Sequence, residues 1–225
     1  MIIDLVDKLA DRVIQLVTGR KLARATLLEA HVTPAFAEFE LVHAAYLDSF
    51  SRYRELIRDA PDATWLQSLP ATLERDNLFS ANCRSKVVRL AEAEDIDVLA
   101  PFVKAISDYV LGARLVDSLG RTAYPHHTQR WRQSLSRTLG EIAEKNWQLV
   151  IDPNGARPPL TPEEIEAELT QLRRRYPAAA GTVTAQEALN RACALWALDA
   201  VVWEMQNQYD RVCQAYVELK RLLTK

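Results

Sequence analysis

Glycine is scarce in this sequence, with six glycines in 225 residues. Sheet proteins place glycine in tight hairpins and at bulges. No Asn-Gly or Asp-Gly pair here separates two runs of alternating apolar and polar residues. The sequence therefore argues against a β protein and favours a helical one.

Cysteine is also scarce, with Cys83, Cys193 and Cys213 as the three examples. The last two fall on one predicted helix, where their spacing corresponds to roughly 30 Å. A disulfide needs Cα atoms within about 7 Å. An odd number of cysteines with no plausible pair predicts a reducing, cytoplasmic location.

Long apolar runs are absent. The longest, Ala192–Leu198, is far shorter than the roughly 20 residues that cross a bilayer. The first charged residues are Asp4 and Asp7, unlike the basic start of an export signal. The formal net charge of −2 selects no class of partner. We therefore expect no membrane association.

Apolar residues recur at steps of three and four along the segment that follows Thr33 and Pro34. A threonine cap and a proline in the first turn are typical of a helix start, and Pro61 ends the pattern. A long helix is predicted over about 34–59. Its apolar positions are Phe36, Phe39, His43, Tyr46, Phe50, Tyr53 and Ile57.

A second long helix is predicted over about 185–222, opened by a capping box of Thr184 and Glu187. Trp196 and Trp203 lie on a second apolar face near its start, which predicts that this half is buried on both sides. The main apolar positions are Leu195, Leu198, Val202, Met205, Tyr209, Val212, Tyr216, Leu219 and Leu223.

Shorter helices are predicted over about 2–17, 97–119, 131–149 and 161–176, the last opened by a capping box of Thr161 and Glu164. The segment 62–95 fits one helix or two. The fold class is therefore all-α, a single-domain bundle of about six or seven helices over residues 1–225. The turn residues near 152–160 predict an exposed loop or hinge.

Motifs of the common enzymes are absent, including the glycine-rich phosphate loops and the zinc-protease and hydrolase signatures. Glu40-x-x-His43 matches half of the ligand set of a carboxylate-bridged di-iron bundle. Half a set does not hold a metal. We therefore favour a protein without metal or cofactor, and a role other than catalysis.

Arg121 and His126 are separated by four residues, with Pro125 directly before the histidine. This spacing resembles the short Arg–His motif of the HEPN ribonucleases, helical proteins that cleave RNA without metal and usually dimerise. The resemblance implies that the arginine stabilises phosphate charge and that the histidine acts as acid or base.

The segment 121–137 carries no acidic residue and is strongly basic. Arginines beside aromatic residues suit phosphate binding and base stacking. The alternative, which we favour, is that these arginines pair with acidic runs such as 92–97 and 163–168. The candidate binding residues are Arg121, His126, His127, Arg130, Arg132 and Arg137, interleaved with Tyr124 and Trp131.

Asp199 lies between Trp196 and Trp203 on the second long helix. A carboxylate among indoles fits a desolvated catalytic group. It also fits a structural group that accepts an indole N–H or reaches a basic partner on another helix. We favour the structural role.

The leading functional hypothesis is a protein–protein interaction or scaffold subunit. A compact bundle is expected to leave Tyr216, Leu219 and Leu223 partly exposed, and exposed apolar stripes usually bind partners. The partner is another protein or a second copy of the chain, bound through the C-terminal helix. The alternative is an RNA-acting protein that uses the segment 121–137.

Overall fold

The computed structural model describes residues 2–18, 22–60, 64–69, 97–111, 130–152, 155–177 and 183–225. Within these residues the chain is helical and contains no strand. The helices are α1 (Ile2–Thr18), α2 (Arg24–Leu27), α3 (Thr33–Asp59), α4 (Ala100–Leu111), α5 (Arg130–Ala143), α6 (Trp147–Ile151), α7 (Pro162–Arg175) and α8 (Ala185–Leu223). A further short helical segment covers residues 65–69. The predicted all-α fold with two long helices is confirmed.

The described residues fall into two compact units. The first unit takes those within Met1–Leu47, Asn77–Arg130 and Glu204–Lys225, and the second takes those within Asp48–Asp76 and Trp131–Trp203. α3 and α8 contribute residues to both units. The single-domain organisation stays a prediction.

The core of the first unit is built around aromatic residues of α3 and α8. Phe36 stacks on Tyr216 with 4.0 Å between ring centroids, and His43 stacks on Tyr209 at 3.9 Å. The two helices therefore run antiparallel here. Buried apolar side chains of this unit include Leu9, Val13, Leu16, Leu27, Val32, Phe39, Val42, Tyr46, Leu99, Phe102, Val103, Ile106, Tyr109, Met205, Val212, Leu219 and Leu223.

The start of α3 differs from the prediction. Thr33 has helical dihedral angles, φ −62° and ψ −46°, whereas an N-cap residue is extended. α2 and a π-helical turn at Leu28–Val32 lead into α3 without a break. Pro34 lacks an N–H, and its ring crowds the carbonyl of the preceding turn. We attribute the wider π turn just before Pro34 to this crowding.

The core of the second unit also packs α3 against α8 in antiparallel fashion. Arg54 contacts Asp199, whereas the carbonyls of Arg58 and Ala60 contact Arg191. Buried apolar side chains of this unit include Phe50, Tyr53, Ile57, Trp65, Leu69, Leu139, Ile142, Val150, Leu169, Leu189, Ala192, Cys193, Ala194 and Leu198.

The predicted capping box at the start of α7 is confirmed. The hydroxyl of Thr161 accepts the N–H of Glu164 at 3.3 Å, and the carboxylate of Glu164 accepts the N–H of Thr161 at 2.8 Å. These bonds, above all the backbone N–H of Thr161, hold the pKa of Glu164 below its usual range. Pro162 occupies the first turn, where its missing N–H costs nothing.

The predicted helix over 131–149 is interrupted, and its two parts are α5 and α6. Lys145 adopts a left-handed φ of 58°. Its N–H donates to the Ile142 carbonyl at 3.1 Å, and the N–H of Asn146 donates to that of Glu141 at 2.8 Å. This is the helix-ending arrangement in which glycine is usual. Because a lysine takes that place, the sequence contained no signal for the end of the helix. Leu149, at the end of the predicted helix, is exposed.

The loop after α6 is anchored at both ends. The buried carboxylate of Asp152 accepts the N–H of Arg157 at 2.6 Å, and the side chain of Gln148 accepts the N–H of Leu160 at 3.0 Å. Gly155 has a φ of 61°, which favours glycine. Residues 155–159 are exposed. A hinge at this loop stays a prediction.

Candidate functional site

One face of α8 carries two tryptophans and a carboxylate within the second unit. Asp199, Ala200 and Trp203 lie three, four and seven residues after Trp196, so the four side chains share one face of the helix. Arg54 of α3 and Tyr176, which follows α7, both contact Asp199. We call these six residues the Trp203 surface.

Asp199 is held between two hydrogen-bond donors. A guanidinium N–H of Arg54 donates to Oδ1, and the phenol of Tyr176 donates to Oδ2 at 2.6 Å. Burial, together with the bond to Asp199, raises the pKa of Tyr176 to about 12, so its phenol keeps the proton at neutral pH. Both carboxylate oxygens therefore have partners inside the unit.

Tyr176 reaches Asp199 because α7 ends at this residue. Its N–H donates to the carbonyl of Leu172 at 2.9 Å, while its dihedral angles, φ −123° and ψ 74°, leave the helix. Pro177 follows, and the residue before a proline avoids helical dihedrals. The Arg175 guanidinium lies 5.5 Å from the centre of the Tyr176 ring, within cation–π range.

Trp203 is 67% exposed, and the prediction that it is buried is wrong. Trp196, on the same face, is half-buried. Among the described contacts, the segment that ends α7 reaches α8 at Asp199, one turn before Trp203. The second apolar face of α8 therefore continues one turn past the described contact between Tyr176 and Asp199.

The polar groups at and beside the Trp203 surface have partners or are buried. Asp199 has the basic partner on another helix that its structural role requires. The Tyr176 phenol does not ionise near neutral pH. The thiol of Cys193 on the same helix is buried, which raises its pKa to about 12. The Tyr176 phenol and the Cys193 thiol therefore both keep their protons near neutral pH.

Comparisons with known proteins add nothing to this geometry. No protein-family model, curated protein or solved structure matches the chain. Over the part of the chain that the structure describes, no helix has the length and apolar character needed to cross a bilayer.

A buried polar cluster in the second unit was missed by the sequence analysis. Thr184 does accept the N–H of Glu187, at 3.1 Å. The Glu187 carboxylate, however, binds elsewhere, accepting the indole N–H of Trp65 at 2.7 Å and the Nε–H of Arg191 at 2.8 Å. The predicted reciprocal capping box at residue 187 is therefore wrong, and Glu187 instead links α8 to the helical segment at residues 65–69.

Arg191 caps the C-terminal end of α3. Its side chain is 3% exposed, and its two terminal nitrogens donate to the carbonyls of Arg58 and Ala60 at 2.8 and 2.7 Å. Carbonyls at a helix C-terminus lack helical partners and carry partial negative charge. A Glu and an Arg four residues apart within an apolar stretch was the sequence signal for this cluster.

His43 is buried in the first unit, where its Nδ1 lies 2.9 Å from the hydroxyl of Tyr109. Burial raises the pKa of Tyr109 well above 10.0, so its phenol donates to a neutral imidazole. Glu40 of the Glu-x-x-His pattern is exposed. Across the described ranges, no three His, Cys, Asp or Glu side chains converge as metal ligands do.

Acidification is expected to destabilise the protein through His43. Burial lowers its pKa below 6.5, against opposing effects from Gln206 and Asp210. Between the unfolded and folded pKa values only the unfolded chain binds the proton, so stability falls as the pH drops from about 6.5 through the folded pKa, by up to about 1.4 kcal/mol per pH unit. Urea unfolding between pH 5 and 8 measures this slope.

The control for that experiment is His43→Gln, which keeps an acceptor for the Tyr109 hydroxyl but does not titrate. Its unfolding free energy should depend less on pH than that of the wild type over the same range. Equal slopes for the two proteins would contradict the assignment to His43.

The C-terminal binding surface predicted from the sequence is not exposed. Leu219 and Leu223 are 2% and 6% exposed, and Tyr216 is half-buried, stacked on Phe36. Because these side chains are covered, the expectation that they form a free apolar stripe is wrong. On this part of α8 the large apolar side chains that remain exposed are Val217 and Leu222.

The basic segment lies mostly outside the described residues, including Arg121, His126 and His127. Arg130 and Arg132 belong to the first turn of α5. Arg137 is exposed one turn further along. Nucleic-acid binding and the HEPN-like chemistry stay predictions.

Proposed function

We propose that this chain is a protein-binding subunit and that its protein partner docks on the Trp203 surface. The observation that supports this most directly is the two-thirds exposed indole of Trp203. It lies one helical turn from a carboxylate whose oxygens are already bonded within the unit.

The composition of the surface favours a protein partner. Tryptophan, tyrosine and arginine are the residues that most often carry the binding energy of protein interfaces, and all three meet here. The small side chain of Ala200 lies exposed between Trp196 and Trp203. This alternation leaves room for a partner's side chain between the two indoles.

The polar network lowers the cost of covering the surface. Burying an unpaired carboxylate opposes association strongly. Asp199 is already bonded to Arg54 and Tyr176, so a partner that covers it does not strand a charge. Arg54 and Arg175 both lie near the Tyr176 ring, beside the carboxylate of Asp199. An apolar patch bordered by acidic residues is therefore the complementary partner surface.

A photo-crosslinking amino acid in place of Trp203 tests this proposal in cells of the native source. The expected result is one defined crosslinked protein, absent when the same amino acid replaces Leu149, an exposed leucine of the same unit. Crosslinks to nucleic acid alone, or none at position 203, would contradict the proposal.

Binding of that purified partner is expected to weaken roughly 30-fold or more in Trp203→Ala, because truncating an interface hot spot costs at least about 2 kcal/mol. Titration calorimetry measures the change. Leu149→Ala is the matched control and should bind like the wild type. Equal affinities for the wild type and Trp203→Ala would place the interface elsewhere.

A further inference from the structure

The outer face of α7 has a charge pattern that is complementary to itself. Ile165, Leu169 and Leu172 are the apolar positions on the inner side of this helix, with Leu169 buried and the other two half-buried. On the opposite side, a stripe that is mostly exposed begins with Glu163 and ends with Arg174. Its remaining positions are Glu166, Ala167, Thr170 and Gln171.

These six positions form three pairs about one centre. Residues 163 and 174, 166 and 171, and 167 and 170 are each centred between residues 168 and 169. When two copies of a helix pack antiparallel about a two-fold axis, each such pair meets across the axis. Glu163 of one copy would then face Arg174 of the other at both ends of the contact.

The middle of the stripe permits close approach of two helices. Ala167 and Thr170 are small, and small residues let helix axes approach toward the lower end of the usual 8–10 Å range. Glu166 would face Gln171, which can donate to a carboxylate. No like-charged pair meets in this arrangement.

The helix dipole explains only part of this pattern. It favours acids at the start of a helix and bases at its end, on any side. It does not account for small residues at the centre of the outer stripe.

We infer that a second copy of the chain docks on this face, α7 against α7, as an antiparallel two-fold dimer. This interaction uses a different helix from the tryptophans of the Trp203 surface and does not depend on that surface binding a partner. A stable interface usually buries about 800 Å² per partner. A contact centred on one 14-residue helix is expected to be smaller, so the dimer should depend on concentration.

Charge reversal at the two ends of the stripe tests the inference by sedimentation equilibrium from 5 to 500 μM at low ionic strength. The wild type should dimerise within this range. Glu163→Arg and Arg174→Glu should each weaken the dimer at least tenfold, because every substitution acts twice. The double variant carrying both changes should regain the wild-type affinity.

Mixing the two single variants gives a sharper result. Each alone faces like charges across the axis, but together they restore both opposite pairs, so the mixture should form a heterodimer. Glu144→Arg, an exposed change of the same charge in the same unit, is the matched control and should dimerise like the wild type. Circular dichroism verifies that every variant is folded.

Several outcomes would overturn the α7 dimer. One is a wild-type protein that stays monomeric at 500 μM. Another is a dimer whose affinity is unchanged in Glu163→Arg. Failure of the mixed variants to associate has the same meaning. None of these outcomes affects the proposed binding at Trp203, which is read from crosslinks and calorimetry with a different protein.

Discussion

Replacing Arg191 with methionine is expected to destabilise the second unit by about 3–5 kcal/mol, since removing one member of a buried ion pair leaves the other charge unpaired. The substitution strands the Glu187 carboxylate, which keeps only the Trp65 indole as its side-chain donor. It also removes the donors to two carbonyls at the end of α3. Urea unfolding followed by circular dichroism measures the loss.

Two variants identify the cause of that loss. Arg191→Met combined with Glu187→Gln removes the stranded charge and should recover part of the stability. Arg221→Met removes an arginine from an exposed pair with Glu218, where both side chains are 57% exposed, and should cause no measurable change. If Arg191→Met lowered the unfolding free energy no more than Arg221→Met does, the buried cluster would not contribute to stability.

The second large effect is expected at Leu219. Leu219→Ala should lower the unfolding free energy by about 2–5 kcal/mol, because the side chain is 2% exposed and its truncation leaves a cavity. This outcome would place Leu219 in the core of the first unit. Denaturant unfolding measures the loss, and sedimentation measures any change in association.

Val217 is the matched control because it lies two residues earlier on α8 and is 63% exposed. Val217→Ala should change the stability by no more than about 0.5 kcal/mol. If Leu219→Ala left stability unaltered while dissociating a complex, the stripe of Tyr216, Leu219 and Leu223 would be a partner surface after all.

The sequence determined the fold class and most of the helices. The steps of three and four along α3 and α8 identify side chains such as Phe39, Tyr53 and Leu198, which are buried. The capping box at Thr161 could be read because both partners lie within four residues of each other. Such signals are local, so they depend little on how distant segments pack.

Two helix boundaries had no local signal in the sequence and are seen only in the backbone conformation. Lys145 follows the end of α5 in a left-handed conformation, which a lysine in the sequence does not predict. The turn before Pro34 widens into a π-helix, so the chain is already helical from residue 24. Lys145 takes a conformation that is usual for glycine, and the residues before Pro34 are helical where the sequence predicted the start of a helix.

The faces of α8 that are covered could not be read from the sequence. The helical period groups Leu219 with Leu223, and Trp196 with Trp203, but it does not say where other helices end. Leu219 is buried, whereas the described contact from the end of α7 reaches α8 at Asp199 and Trp203 is exposed.

The same limit applies to the polar residues. Glu187 has a capping partner nearby in sequence, yet its carboxylate binds Trp65, which is 122 positions away. Asp199 likewise takes Arg54 and Tyr176 from two other segments. Local patterns in the sequence predict the helices and their apolar faces. Packing determines which of those faces and charges stay exposed, because burial depends on contacts between segments far apart in the chain.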